Sequence, residues 1–250
     1  MSDLKDFTAL VTGANRGIGA AFAAELLARG AKVYAGARDP GSVPAELLDA
    51  GAEAVAIDVT DRDQVAKAAA ACSDVSLLIN NAGYHAGQRL VLADDPDAAR
   101  QEMEVNYFGP LNTTRAFAPV LGANGGGAII NVLSVAAIAP TPFMGGYSTS
   151  KVATLYLSGI TRDELEPQGT RVTALIVGSV DTRMAGHVAG DKEQPSDIAK
   201  AGLKAMLRGE HVCDTDWMAV DSRARLARDP ARYQRGLARL LHATELRTGR

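Results

Sequence analysis

Between residues 7 and 177 the chain alternates short, almost wholly apolar runs with longer Ala- and Leu-rich segments of helical spacing, and this rhythm constrains the fold more than any other feature. The apolar runs fall at 7–12, 32–37, 54–57, 77–80, 128–133 and 171–177, each of strand length. The segments at 20–29, 61–71, 97–120 and 148–166 place apolar residues at helical intervals. Strands that are apolar on both faces need helices over both faces, the condition met in a parallel sheet. The sequence therefore predicts an α/β fold, a doubly wound parallel β-sheet flanked by helices on both faces.

A chain of 250 residues can form one domain or two. No charge run, low-complexity tract or repeat marks a linker, so one domain over 1–250 is expected. Lys and Arg total 26 against 29 acids, a formal charge of -3, which argues against a broad nucleic-acid surface and for a small substrate. The N-terminus lacks the basic-then-apolar start of a secretory signal, and no uncharged apolar stretch approaches the roughly 18 residues of a membrane span. A cytoplasmic protein is expected. Cys72 and Cys213 have no redox or ligand spacing and read as ordinary thiols. His85, His187, His211 and His242 lack metal-ligand spacing, so no metal is expected.

After Val177 the pattern loosens into an insertion at about 183–196, readable either as a cap over a site or as a surface connection. A helix at 196–207 and two Arg-rich helical segments within about 215–243 follow. The sequence does not disclose what the last two do.

The strand ending at Thr12 runs straight into Gly13-Ala14-Asn15-Arg16-Gly17-Ile18-Gly19 and a helix. Glycines there let the backbone turn and approach a pyrophosphate, whose charge the free amides of a helix N-terminus favour. This strand–turn–helix context points to a dinucleotide-binding, Rossmann-type fold, with Gly13, Asn15, Arg16, Gly17, Ile18 and Gly19 at the phosphates. Tyr147 and Lys151, four apart on a predicted helix, share one face. Bringing a phenol from a pKa of about 10 to about 7 takes roughly 4 kcal/mol, which an ammonium about 4 Å away supplies at an effective dielectric near 20. Tyr147 is therefore a candidate acid/base.

TGANRGIG, Asn80-Asn81-Ala82-Gly83, Ser134 thirteen residues before Tyr147, and the Tyr147 to Lys151 spacing together resemble the short-chain dehydrogenase/reductase family over residues 7 to about 184. The resemblance implies hydride transfer between a nicotinamide and a carbonyl. Tyr147 would donate the proton, Ser134 polarise the carbonyl, and Lys151 depress the Tyr pKa and bind the nicotinamide ribose. Asn106, at a helix irregularity, would hold a water linking Lys151 to solvent. Asp58 and Val59 resemble adenine contacts, and Asn81, Ala82 and Gly83 line the cofactor. Ala37 stands where members preferring NAD carry Asp, and Arg38 follows it. With Arg16 this suits a 2′-phosphate and hence NADP(H). The competing reading makes Asp39 the ribose acid of an NAD enzyme.

Two departures from the family pattern stand out. Val177 replaces the Pro of the usual Pro-Gly after the sixth strand, although Gly178, Val180 and Thr182 still match and are expected at the carboxamide. No Gly-rich last strand is evident; Glu210 to Cys213 offers a shorter seventh strand, which leaves a homo-oligomer expected but dimer and tetramer undecided. Tyr84, Ala136, Ile138, Phe143, Met144, Met184, His187 and Trp217 are the candidate substrate pocket, with packing of the C-terminal helices as the alternative for Trp217. Their largely apolar character suggests an apolar carbonyl compound. The functions implied are an NADPH-dependent carbonyl reductase, reversible as an alcohol dehydrogenase, or an NAD-dependent alcohol or steroid dehydrogenase. Reduction of a carrier-bound 3-oxoacyl group is a further possibility, although no basic platform for an acidic carrier is evident. The last alternative is a non-catalytic cofactor-binding regulator.

Overall fold

A computed structural model describes residues 4–185 and 192–248, with side chains through Leu241. Seven parallel strands form one sheet: β1 (Thr8–Thr12), β2 (Lys32–Ala37), β3 (Glu53–Ala56), β4 (Leu77–Asn80), β5 (Gly127–Val132), β6 (Thr170–Ile176) and β7 (Val212–Asp214). Their order is β3-β2-β1-β4-β5-β6-β7. The connection reverses direction between β1 and β4, so a crevice opens at the carboxyl ends of those strands. The expected short seventh strand is present and pairs with β6 through Cys213 opposite Leu175.

The helices are α1 (Gly17–Ala28), α2 (Ala45–Asp49), α3 (Arg62–Ala71), α4 (Ala98–Met103), α5 (Gly109–Ala123), α6 (Gly145–Leu165), α7 (Pro195–Leu207), α8 (Trp217–Arg228) and α9 (Pro230–Thr248). Alternating strand residues feed two cores. Ala9, Val11, Leu77, Ile79 and Ile130 pack with Phe22, Leu26 and Leu203 on one face. Leu10, Leu78 and Ile129 pack with Phe117 and Leu121 on the other. Both faces are dry, which is why these strands read as continuous apolar runs.

The single helix expected over 97–120 is interrupted by a wide π turn at Glu104–Phe108. Pro110 is the cause: it has no N–H to give the carbonyl four residues back, that of Asn106, and its ring crowds that carbonyl. The released Asn106 carbonyl accepts the Thr154 hydroxyl of α6 at 2.7 Å. The irregularity thus locks α5 to α6. Among the described residues no helix is long and apolar enough to cross a membrane. Both cysteines are free thiols, pushed up to about 11 by burial.

Candidate active site

The carboxyl ends of β1, β4, β5 and β6 open into one cleft of about 3250 Å³. At one end lies the turn between β1 and α1. Helix α1 begins without a side-chain cap and without an acid in its first turn, so its leading amides have no side-chain acceptor. Gly19 allows the turn to close: a Cβ there would stand 2.3 Å from the Gly13 carbonyl oxygen and 2.4 Å from Asn81 Nδ2. The Asn81 amide in turn donates to the Thr12 and Gly13 carbonyls at 2.9 and 3.2 Å, tying the end of β4 to the turn. Gly13, Asn15, Arg16, Gly17 and Ile18 line the cleft, as do Ala82 and Gly83, while Gly19 lies behind the wall. An uncapped helix start with backbone held this close is a cradle for phosphate, and a dinucleotide fits it.

Arg16 and Arg38 line the same end and make no ion pair among the described residues. Asp39 lines this end too, and its Oδ1 accepts the Gly41 amide at 3.0 Å and caps the turn Pro40–Ser42. Asp58 and Val59 also reach the cleft, and Asp58 Oδ1 accepts the Thr60 amide at 2.9 Å and hydroxyl at 2.8 Å.

At the other end Ser134 closes the segment after β5, and Tyr147 and Lys151 project from the first turns of α6. Burial pushes the Tyr147 phenol up to about 12, against a hydrogen bond with Ser134 that pulls it down and the Glu102 carboxylate that raises it further. Burial brings the Lys151 ammonium down to about 8. The expected depression of the phenol by Lys151 is therefore absent from the chain alone. Both groups are largely buried at the cleft wall, Lys151 Nζ stands 5.5 Å from the Tyr147 ring centre, and it donates to the Val132 carbonyl at 2.9 Å. Desolvation outweighs the attraction. At neutral pH the phenol is protonated, the form that can give up a proton.

Asn106 is fully buried and does not reach the cleft. Its Nδ2 donates to the Tyr84 carbonyl at 2.8 Å and to Ser150 Oγ at 2.9 Å, and its Oδ1 accepts the Tyr84 amide at 2.8 Å. Its own carbonyl accepts the Thr154 hydroxyl at 2.7 Å and keeps a second lone pair. Here it positions the Tyr84 backbone and α6.

Tyr84, Phe143, Met144, Met184 and Trp217 line the cleft, and Trp217 is 62% exposed rather than packed under the C-terminal helices. Ala136 is a correction: it is buried, its amide donates to Ser134 Oγ and its carbonyl accepts the Ser148 hydroxyl, so it sets the Ser134 turn instead of facing a substrate. Ile138 is likewise off the wall. His187 lies outside the described residues. Gly178, Val180 and Thr182 line the cleft near the turn, and a Cβ on Gly17 would stand 3.2 Å from the Thr182 methyl.

Sequence reading missed three residues. His85 lies on the cleft with its ring 5.1 Å from that of Tyr147. Glu102, buried on α4, accepts the Ala86 amide at 2.8 Å, and burial raises its pKa. Asp216, also buried, accepts the Gly178 amide at 2.7 Å and the Ala219 amide at 3.0 Å. It anchors the turn after β6, where the Pro is missing. Only Asp216 left a sequence signal, an acid directly before a helix. Among the described residues no group of His, Cys, Asp or Glu could hold a metal.

Known proteins share this arrangement. The short chain dehydrogenase family model matches residues 7–193. An uncharacterised oxidoreductase of Staphylococcus saprophyticus is 32% identical over 85% of this chain and 96% of its own. A short chain dehydrogenase from Burkholderia cenocepacia, solved in complex with NADP, is 42% identical with a TM-score of 0.85, covering 98% of both chains. A 3-ketoacyl-(acyl-carrier-protein) reductase from Brucella melitensis complexed with NADH is 28% identical with a TM-score of 0.75, covering 84% of this chain and 94% of that one. With the family model spanning the phosphate turn, Ser134, Tyr147 and Lys151 in one cleft, the chain belongs to the short-chain dehydrogenase family of oxidoreductases.

Proposed function

We propose that the chain is an NADPH-dependent carbonyl reductase, reversible as an alcohol dehydrogenase. The observation that carries the reading is the placement of Ser134, Tyr147 and Lys151 on the same cleft as the phosphate cradle and two arginines. The cofactor would lie on Gly13, Asn15, Gly17 and Ile18, with Arg16 and Arg38 at the 2′-phosphate, Asp58 and Val59 at the adenine, and Gly178, Val180 and Thr182 at the carboxamide. When bound, the reduced nicotinamide supplies the hydride that goes to the carbonyl carbon. Ser134 holds the carbonyl oxygen, and the Tyr147 hydroxyl gives that oxygen its proton, completing the alcohol. Lys151, charged at neutral pH, opposes the negative charge left on Tyr147 until solvent restores the proton.

Arg38 and Arg16 at this end of the cleft, with Ala37 at the end of β2, favour NADPH over NADH. An NAD-dependent dehydrogenase remains the second reading, supported by the relative solved with NADH. We further propose a homo-oligomer, on the exposed Tyr156 and Ile160 along the outer face of α6; light scattering of the purified chain gives its mass. The test of function follows NADPH and NADH absorbance in parallel over aromatic, alicyclic, steroid and 3-oxoacyl ketones. Turnover with NADPH is expected. Turnover with NADH alone overturns the cofactor assignment, and tight NADPH binding with no ketone consumed favours a non-catalytic regulator.

A further inference from the structure

Helix α9 runs along the substrate end of the cleft, packed against the turn Pro142–Met144 that leads into the helix of Tyr147. It is fixed to α8 by the Tyr233 hydroxyl, which donates to Ser222 Oγ at 2.8 Å. Arg232, Arg235 and Arg239 follow helical spacing, so they share one face, and Arg228 ends α8 just before this helix. All four line the cleft that holds Tyr147.

The charge balance of this row is one-sided. Arg223 and Arg225 of α8 are consumed by Asp214 and Asp221. Arg228, Arg232, Arg235 and Arg239 have no ion pair or side-chain hydrogen bond among the described residues. The acids on this side of the cleft are Asp181, Asp221, which is paired, and Asp229, whose Oδ1 accepts the Arg232 amide, fewer than the four arginines they face. A basic helix face is ordinarily just solvated. This one borders the cleft that holds Tyr147, and apolar Phe143, Met144 and Trp217 line that cleft with it.

We propose that Arg232, Arg235 and Arg239 bind an anionic group, a carboxylate or a phosphate, at the end of the substrate remote from its carbonyl. The natural substrate is then an anionic carbonyl compound with an apolar body, and not a neutral one. The missing basic platform is here, assembled by the fold from an Arg-rich segment whose role the sequence left open. Guanidinium groups suit either oxyanion because their paired donors match its geometry. The proposal rests on the reductase reading of this cleft.

The test compares the parent with R232Q/R235Q/R239Q, whose changes lie on an exposed helix face and outside the catalytic group. The substrates are a phenyl ketone ending in a carboxylate, its methyl ester, and acetoacetyl-coenzyme A. The variant should raise KM about tenfold or more for a charged ketone, with kcat and the methyl ester within about twofold. Whichever charged ketone responds separates carboxylate from phosphate. A second arm does not need turnover: calorimetry of glutarate and of coenzyme A binding to the NADP-saturated chain. At least one should bind with salt-dependent affinity that the variant weakens about tenfold. Binding of neither, or equal binding by parent and variant, overturns the proposal even if the reductase reading stands. A variant that instead loses NADPH affinity assigns these arginines to the cofactor and also overturns it. Absence of ketone turnover with intact anion binding refutes the reductase reading alone.

Discussion

Asp216→Ala should separate the two halves of the site without touching the reacting groups. The carboxylate is 8% exposed and joins the turn after β6 to the start of α8 through the amides of Gly178 at 2.7 Å and Ala219 at 3.0 Å, with the Thr215 hydroxyl at 2.9 Å. A hydrogen bond to a charged group contributes about 1.5–3 kcal/mol, so the two amides together bring about 3–6 kcal/mol. Releasing a buried carboxylate from its desolvation offsets part of that, leaving a loss of about 3 kcal/mol. For a chain of this size that is a fall in Tm of roughly 6–12 °C. Asp216→Asn is the control. Its carbonyl oxygen can serve only one of the two amides, and the NH₂ then meets the other donor to donor, so about half the loss should remain. Urea unfolding of both variants, with and without saturating NADPH, measures these losses. NADPH should restore less stability in either variant than in the parent, because Gly178 and its neighbours no longer hold their place. If Asp216→Ala unfolds within about 0.5 kcal/mol of the parent, the anchoring role is wrong.

Three further outcomes are expected. Tyr147→Phe should lower kcat about 10²- to 10⁴-fold while fluorescence-measured NADPH binding stays unchanged, and retention of most turnover removes Tyr147 as the acid. Arg38→Asp should weaken NADPH binding about 10- to 150-fold, the equivalent of about 1.5–3 kcal/mol, with NADH binding unweakened; unchanged NADPH affinity takes Arg38 off the phosphate. The third concerns pH. The Lys151 pKa falls from 10.5 when unfolded to about 8 when folded, so between those values the unfolded chain holds more protons and stability rises with pH. Urea midpoints of the cofactor-free chain should therefore gain a positive contribution from about pH 8 to 10 that Lys151→Met lacks, and identical slopes in the two proteins refute it.

Local chemistry made much of this legible. Apolar runs of strand length gave six of the seven strands, and the β1–α1 turn could be read for phosphate because glycines, a missing cap and a preceding strand are all contiguous in sequence. The same holds for Tyr147 and Lys151, whose shared face follows from helical spacing alone. What the sequence hid were effects of distant partners. Glu102 gave no sign of burial because α4 is polar on its own, and only packing against the loop at Ala86 and the start of α6 at Gly146 covers it. The main-chain hydrogen bond of Asn106 depends on Pro110 freeing its carbonyl for a hydroxyl 48 residues away.

The protonation of the pair in the cofactor-free chain was not legible for a related reason. Spacing sets how far apart two side chains can be, whereas their pKa values depend on how much water is removed around them, and that is a property of the whole packed cleft. The C-terminal arginines make the same point. Their spacing on a helix is written in the chain, because backbone hydrogen bonding fixes which residues share a face. That this face borders the cleft of Tyr147 was decided only when α9 packed against the turn before α6, a contact between segments about 90 residues apart. Sequence determined the elements and the shared face of Tyr147 and Lys151, since both follow from short-range periodicity. Tertiary structure alone decided which charges are buried, which are paired, and which are left lining the cleft, since those depend on long-range packing.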